Sequence, residues 1–214
     1  MPVTRTSPGA AGVPRSERRD EPRSARRVEI VALAGEMFAT RGFAGTTVRE
    51  IADAAGILSG SLYHHFDSKE SIVDELLSTF LADTMAAYEA AIARAQSHTE
   101  ALRSLVQIAF AAVHDHRAAV AVMHQEFHTL LQYLRFEYLR TASDDAERVW
   151  LGVLRAGMQA GEFRRAADPA LTYRFIRDAV WNTVRWYEPS GRYRIDTIAN
   201  RYLDLLLDGL RSAP

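Results

Sequence analysis

The residue pattern predicts an all-α chain, and three observations carry that expectation. Apolar residues recur at three- and four-residue spacing from Ser24 onward. No stretch keeps the strict apolar/polar alternation of a half-buried strand. Helix start and stop residues stand at the ends of the periodic segments.

Residues 1–23 hold Pro2, Pro8, Pro14, Pro22, Gly9 and Gly12 with no apolar period, so they read as a flexible, Arg-rich tail. Its arginines suit a solvated tail or an arm that touches DNA phosphates. The first helix starts near Ser24 and carries Val28, Val31, Leu33, Ala34, Met37 and Phe38, with Gly42 as its left-handed stop. Thr47-Val48-Arg49-Glu50 is a capping box opening a second helix, whose apolar side is Val48, Ile51, Ala52 and Ala55, and Gly56 ends it. Ser59 to Phe66 forms a third, polar segment, and Ser68-Lys69-Glu70 starts a long fourth helix bearing Ile72, Val73, Leu76, Leu77, Phe80, Leu81, Met85 and Tyr88.

Further on, Leu102, Leu105, Val106 and Val113 mark one helix, and others run over 118–133 and 136–160, the last closed by Gly161. Asp168-Pro169 is a cap followed by proline at the first helical position, and that helix is expected to reach Tyr187. The last helix spans about 193–210, with Ile195, Ile198, Tyr202, Leu205, Leu206 and Leu210 on its apolar side.

Composition excludes several classes. The chain has 214 residues, 48% of them hydrophobic and 25% charged, which supports a packed core rather than a disordered chain. It has no cysteine, so disulfides and thiol chemistry are out, and a cytoplasmic location is expected. No apolar run approaches the roughly 20 residues of a membrane helix, and no membrane partner is expected. The formal net charge is -1, so any basic surface must be local; Lys69 is the single lysine.

Three short helices with a glycine-containing turn describe a helix-turn-helix. Ala52, Ala54, Ala55 and Gly56 keep the contact between its last two helices slim, and Leu62 and Phe66 anchor the third segment. Ser59, Gly60, Ser61, Tyr63 and His64 form a small polar face able to enter a major groove. Thr47 and Lys69 stand at helix N-termini, where free N–H groups suit phosphates. In the C-terminal half Tyr173, Arg177, Trp181 and Arg185 fall on one stripe. Arginine grips phosphate or carboxylate and tryptophan offers an apolar platform, so the stripe suits a ligand with an anionic end and an apolar body. A dimer interface built of Arg–aromatic stacking would use the same residues. His124 and His128 lie four apart, but Glu126 between them breaks the H-E-x-x-H spacing, so neither a metal site nor a metal-dependent enzyme is expected. No phosphate loop or G-x-S-x-G nucleophile turn appears, and no catalytic residues are assigned.

The run Phe43 to Ile57, then Ser61-Leu62-Tyr63-His64-His65-Phe66, then Ser68-Lys69-Glu70, resembles the signature of the TetR family of transcriptional repressors. The resemblance implies a helix-turn-helix domain over 24–70 and an effector-binding and dimerisation domain over 71–214, with the last two helices forming a four-helix bundle in a homodimer. It implies DNA contacts from Thr47, Ser61, Tyr63, His65 and Lys69, with bases read around Gly60 to His64, on a palindromic double-stranded operator. The runs Ala54 to Phe66, Gly157 to Arg164 and Tyr173 to Asp178, with Trp181 and Arg185-Trp186-Tyr187, resemble a narrower branch, the actinobacterial repressors of late, C/D-ring cholesterol catabolism. That likeness implies no cofactor but a small effector, a coenzyme A thioester of a ring remnant held at Arg177, Trp181 and Arg185. The long tail and the 118–133 segment depart from that branch. A fatty acyl-CoA or a hydrophobic drug is the alternative effector.

Overall fold

The computed structural model describes residues 17–210, with side chains from residue 25 onward. Its regular elements are helices: α1 (Glu17–Arg41), α2 (Val48–Ala54), α3 (Ser59–Leu62), α4 (Lys69–Arg94), α5 (His98–Asp115), α6 (Arg117–Leu130), α7 (Tyr138–Gln159), α8 (Pro169–Thr183) and α9 (Ile195–Leu210), with a single 3-10 turn at Leu134–Phe136 before α7. None of the described helices is long and apolar enough to cross a membrane.

Local signals place the helix ends. Thr47 caps α2 in a reciprocal box with Glu50, and Ser68 caps α4 in the same way with Ser71. Asp168 accepts from the amides of Ala170 and Leu171 and opens α8 ahead of Pro169. Gly42 and Gly161 both take a φ of +79°, where a side chain would be strained. Helix α1 begins at Glu17, inside the segment read from sequence as a tail. That stretch has no apolar period to announce it, yet Glu and Arg are good helix formers. Residues 1–16 of the expected tail lie outside the described residues.

The inward face of α1 keeps Ala34 and Phe38 of the expected set, with Val31, Leu33 and Met37 partly buried beside them, but adds Ile30 and turns Val28 outward. Ile30, Ala34 and Phe38 are fully buried, while Val28 is exposed. These three stand four residues apart on one stripe, which packs toward α2, α4 and α6. α5 is the centre of the C-terminal part, packing against α4, α6, α7, α8 and α9. α4 runs from the N-terminal helices into this bundle, so anything that shifts α4 is felt at both ends.

The expected single helix over 118–133 ends at Leu130, and the chain turns through Leu134–Phe136 before α7 starts at Tyr138. The helix expected to reach Tyr187 stops at Thr183. Arg117 Nη1 donates to the carbonyls of Val184 (3.2 Å) and Tyr187 (2.7 Å), which holds the turn beyond the helix against the start of α6. His114 Nδ1 lies 2.7 Å from the Tyr187 hydroxyl and fixes the same turn against the α5–α6 corner.

Candidate DNA-binding surface and effector cavity

The polar turn is built on a buried anchor. Leu62 and Phe66 are buried as expected, and the chain between them tightens past α3 through His64 N–H to Ser61 O and His65 N–H to Leu62 O. The segment read as one helix from Ser59 to Phe66 is therefore a four-residue helix followed by turns. Gly60, Tyr63 and His64 are exposed, and Ser59 and Ser61 half-exposed, which gives the small polar face the sequence predicts. A Cβ built on Gly60 would meet nothing within 4 Å, so packing does not demand glycine there. What the missing side chain leaves is room for a close approach from outside.

Three of the expected DNA-contacting residues also have internal work. The Thr47 hydroxyl accepts from Glu50 N–H (3.3 Å) and donates to Glu50 Oε2 (2.7 Å), while Thr47 N–H donates to the same carboxylate (2.9 Å). The hydroxyl and amide of Thr47 hold the Glu50 carboxyl below the usual carboxylate range. Lys69 points inward: its ammonium donates to the carbonyls of Phe43 (2.9 Å) and Thr46 (3.2 Å) and lies 4.3 Å from the centroid of the Phe43 ring. It ties the loop after α1 to the start of α4, which leaves one of its three donors for a phosphate. His65 is half-buried, and its carbonyl accepts from Arg27. Arg27 also covers the Phe66 ring at 4.1 Å and donates to Glu75 Oε2 at 2.6 Å.

Sequence reasoning missed several residues here. Leu58, at the N-cap of α3, is 80% exposed and lies beside the polar face, where an apolar side chain suits a thymine methyl. Glu126, read only as the residue between two histidines, accepts from Phe43 N–H across 83 residues of chain at 3.1 Å. A Cβ on Gly42 would lie 3.0 Å from the same carboxylate, so space as well as φ asks for glycine. Tyr133 packs edge-on to Phe43, and Arg135 pairs with Asp67 and Asp74. α6 and the turn after it thus grip the N-terminal helices directly.

The second site is a cavity of about 80 Å³ enclosed by α4, α5, α6, α7 and α8. Its walls include Phe80, Leu81, Ala112, Val113 and Val180, and Tyr173, Arg177 and Trp181 of the predicted stripe line it. Arg177 stands with its guanidinium 5.9 Å from the Tyr173 ring centroid and donates through Nε and Nη2 to Asp178. Arg185 is not brought to the cavity: with α8 ending at Thr183 it is exposed on the turn beyond. The α4, α5 and α7 side of the wall, above all Tyr88 and Trp150, carried no signal in the sequence beyond apolar periodicity. The cavity is smaller than the roughly 300–1,000 Å³ of ligand pockets, so a drug-sized guest has to part its walls.

Comparison with known proteins gives these two sites a setting. Residues 30–76 match the model of bacterial regulatory proteins of the tetR family, and residues 95–210 match the tetracyclin repressor-like C-terminal domain. The chain is 46% identical over 190 residues to the HTH-type transcriptional repressor KstR2 of Rhodococcus jostii, covering 89% of this chain and 93% of that one. It is 43% identical over 187 residues to KstR2 of Mycobacterium tuberculosis, covering 87% of this chain and 94% of the other. The solved structure of the ketosteroid transcriptional regulator KstR2 of M. tuberculosis superposes with a TM-score of 0.86 at 42% identity, covering 88% of this chain and 96% of that one.

Proposed function

We propose that this chain, which belongs to the TetR family of transcriptional repressors, leaves its palindromic operator when it binds a coenzyme A thioester of a steroid ring-degradation intermediate. The observation that carries the effector reading is the placing of Arg177 and Trp181 on an otherwise apolar cavity. A cation beside apolar walls fits a ligand with an anionic handle and a hydrocarbon body. The near full-length likeness to a ketosteroid regulator supports a steroid-derived body.

Regulators of this family act as dimers on operator DNA. Leu171 and Phe175 of α8 and Leu205 of α9 are exposed apolar side chains, suited to pairing with a second copy. Each protomer then presents its polar turn to one half-site, about one helical turn of DNA from the other. The effector acts through α4. A guest that parts the cavity pushes on Phe80, Leu81, Thr84 and Tyr88, all on α4. The same helix begins at Lys69, which is tied to Phe43 and Thr46. A small tilt of α4 therefore changes the spacing of the two polar turns. A 100-fold loss of operator affinity requires about 2.7 kcal/mol of coupling.

The test is a titration of the protein on its own promoter DNA with ring-remnant CoA thioesters, free CoA and fatty acyl-CoAs. Release by the ring-remnant thioester alone is expected. Release by fatty acyl-CoA instead would replace the steroid effector by an acyl chain. Operator binding with no release by any of them would keep the repressor and remove the effector reading.

A further inference from the structure

Leu58 stands where a helix is normally capped by a polar side chain. Serine, threonine, aspartate and asparagine are favoured there, because their oxygen accepts from a free helix amide. Thr47, Ser68, Ser97 and Asp168 do this for α2, α4, α5 and α8. The Leu58 backbone has the extended cap conformation (φ -68°, ψ 143°), and its carbonyl accepts from Ser61 N–H (2.8 Å) and Leu62 N–H (3.2 Å), but its side chain makes no cap bond. Nor does that side chain serve the core. Ile57 packs partly against the buried cluster, whereas Leu58 is 80% exposed. The position thus forgoes both a cap and burial to hold an aliphatic group in water.

Its neighbours on the turn are Ser59, Gly60, Ser61, Tyr63 and His64, which are small or carry a polar atom. Gly60 leaves space beside it, since a Cβ there would meet nothing within 4 Å. In a helix-turn-helix the first residues of this segment face base edges in the major groove. Apolar chemistry in that groove belongs to one base: thymine presents its C5-methyl group, while the edges of the other three carry hydrogen-bonding atoms alone. An isobutyl group pressed on cytosine would strip water from the amino group and return no bond. The same group on thymine buries hydrocarbon against hydrocarbon.

We infer that Leu58 is a specificity-determining residue of the operator complex: it reads the methyl group of one thymine in each half-site, so that this position of the palindrome is a T·A pair. The inference rests on the operator reading above and deepens it, naming a base where that reading names a surface. The hydroxyls and the imidazole beside Leu58 supply polar contacts, and Leu58 supplies the apolar one.

The experiment titrates the full-length wild-type protein, Leu58→Ala and Leu58→Ser on the operator duplex of its own promoter. It repeats the titration on duplexes in which one symmetry-related pair of thymines at a time is replaced by deoxyuridine, which lacks the methyl group and keeps every hydrogen-bonding atom. At one such pair the wild type is expected to weaken about fourfold per half-site, or about fifteenfold for the dimer, the worth of one buried methyl group on each side. Both variants are expected to bind the thymine operator at least about fifteenfold more weakly than wild type. At that pair they should be indifferent to deoxyuridine within about twofold, and at the other thymines they should respond as wild type does. The slope of affinity against salt should stay the same, because no phosphate contact is removed. Leu58→Ser should not lower the melting midpoint, since it places a capping hydroxyl at an exposed position. A deoxyuridine response that is identical in wild type and both variants at every thymine would overturn the inference. A lowered midpoint or a reduced salt slope accompanying the weaker binding would trace the loss to the fold or to a phosphate, and overturn it as well. No binding of wild type to the thymine operator would remove the operator reading and this inference with it.

Discussion

The polar turn around Gly60 and the cavity around Trp150 are opposite kinds of site. On the turn the polar side chains face outward and the fold uses few of them, since Leu62 and Phe66 anchor it from within and Arg27 ties its end. In the cavity the side chains that would hold a ligand are also the core: Tyr88, Trp150 and Tyr173 are buried and pack on one another. A change on the turn should therefore alter DNA binding without altering stability, and a change in the cavity should alter both. Phe43 sits where the loop after α1 meets Lys69 of α4, Glu126 of α6 and Tyr133, and it is the place to break the fold most severely. Its buried ring packs on Phe38 at 5.7 Å and Tyr133 at 5.9 Å, its amide is held by Glu126 and its carbonyl by Lys69. Phe43→Ala is expected to cost about 3–5 kcal/mol in a denaturant melt and to abolish operator binding with it. A loss under about 1 kcal/mol would mean that this joint does not connect the domains.

The next effect lies at the far end of the bundle. Glu162, just after α7, accepts from His98 N–H (3.1 Å), the His98 ring (2.7 Å), Thr99 N–H (2.8 Å) and the Thr99 hydroxyl (2.8 Å), closing the N-terminus of α5. Desolvation pushes its carboxyl up, but the bonds from His98 and Thr99 outweigh that and hold it at about 2, below the ordinary 4.5. A lowered folded value means that its contribution is complete above about pH 4.5 and fades as pH falls toward about 2. Glu162→Gln keeps the shape and removes the charge, and should cost about 1–2 kcal/mol at neutral pH. The gap between variant and wild type in thermal melts should close across that acid window. A gap that stays constant from pH 7 to about 2.5 would show that the charge is not what closes α5. Operator affinity at neutral pH should not change while the protein is folded, which keeps this part of the comparison distinct from the turn.

What was legible in the sequence was local. Thr47 with Glu50, Asp168 with Pro169, and the glycines at 42, 56 and 161 act within about a turn of their own position, and each stands where its chemistry predicted. The outward face of Ser59, Gly60, Ser61, Tyr63 and His64 was legible for the same reason. The ties were not. Lys69 reaches carbonyls 26 and 23 residues away, Arg27 a carbonyl 38 away, and Glu126 an amide 83 away. Each bonds to backbone, which has no residue code to read. The α8 stripe held as far as Trp181 and failed at Arg185, which lies past the helix end on a turn tied to Arg117 of another helix. Three of the cavity walls come from helices whose apolar periods looked like plain core, and Tyr88 was counted among them.

The smallest effect on the fold is expected at Gly60, and it separates the two kinds of site most sharply. Gly60 lies inside α3 with a φ that ordinary residues adopt, and a Cβ there would meet nothing within 4 Å. Gly60→Ala should therefore leave stability unchanged or raise it by about 0.5–1 kcal/mol, since alanine loses less backbone freedom on folding. With the polar turn reading the groove as proposed, the same methyl group stands among Ser59, Ser61 and His64, which would need close approach to the bases. Operator affinity should fall at least about tenfold, comparable to the ~1–3 kcal/mol of one good base contact. The salt dependence of binding should keep its slope, because no phosphate contact is removed. A melt and a salt-series titration of one variant give both numbers. Affinity that survives intact would put Gly60 outside the contact surface and move base reading toward Tyr63 and Leu58. A stability loss would show that the turn is packed more tightly than its open surroundings indicate.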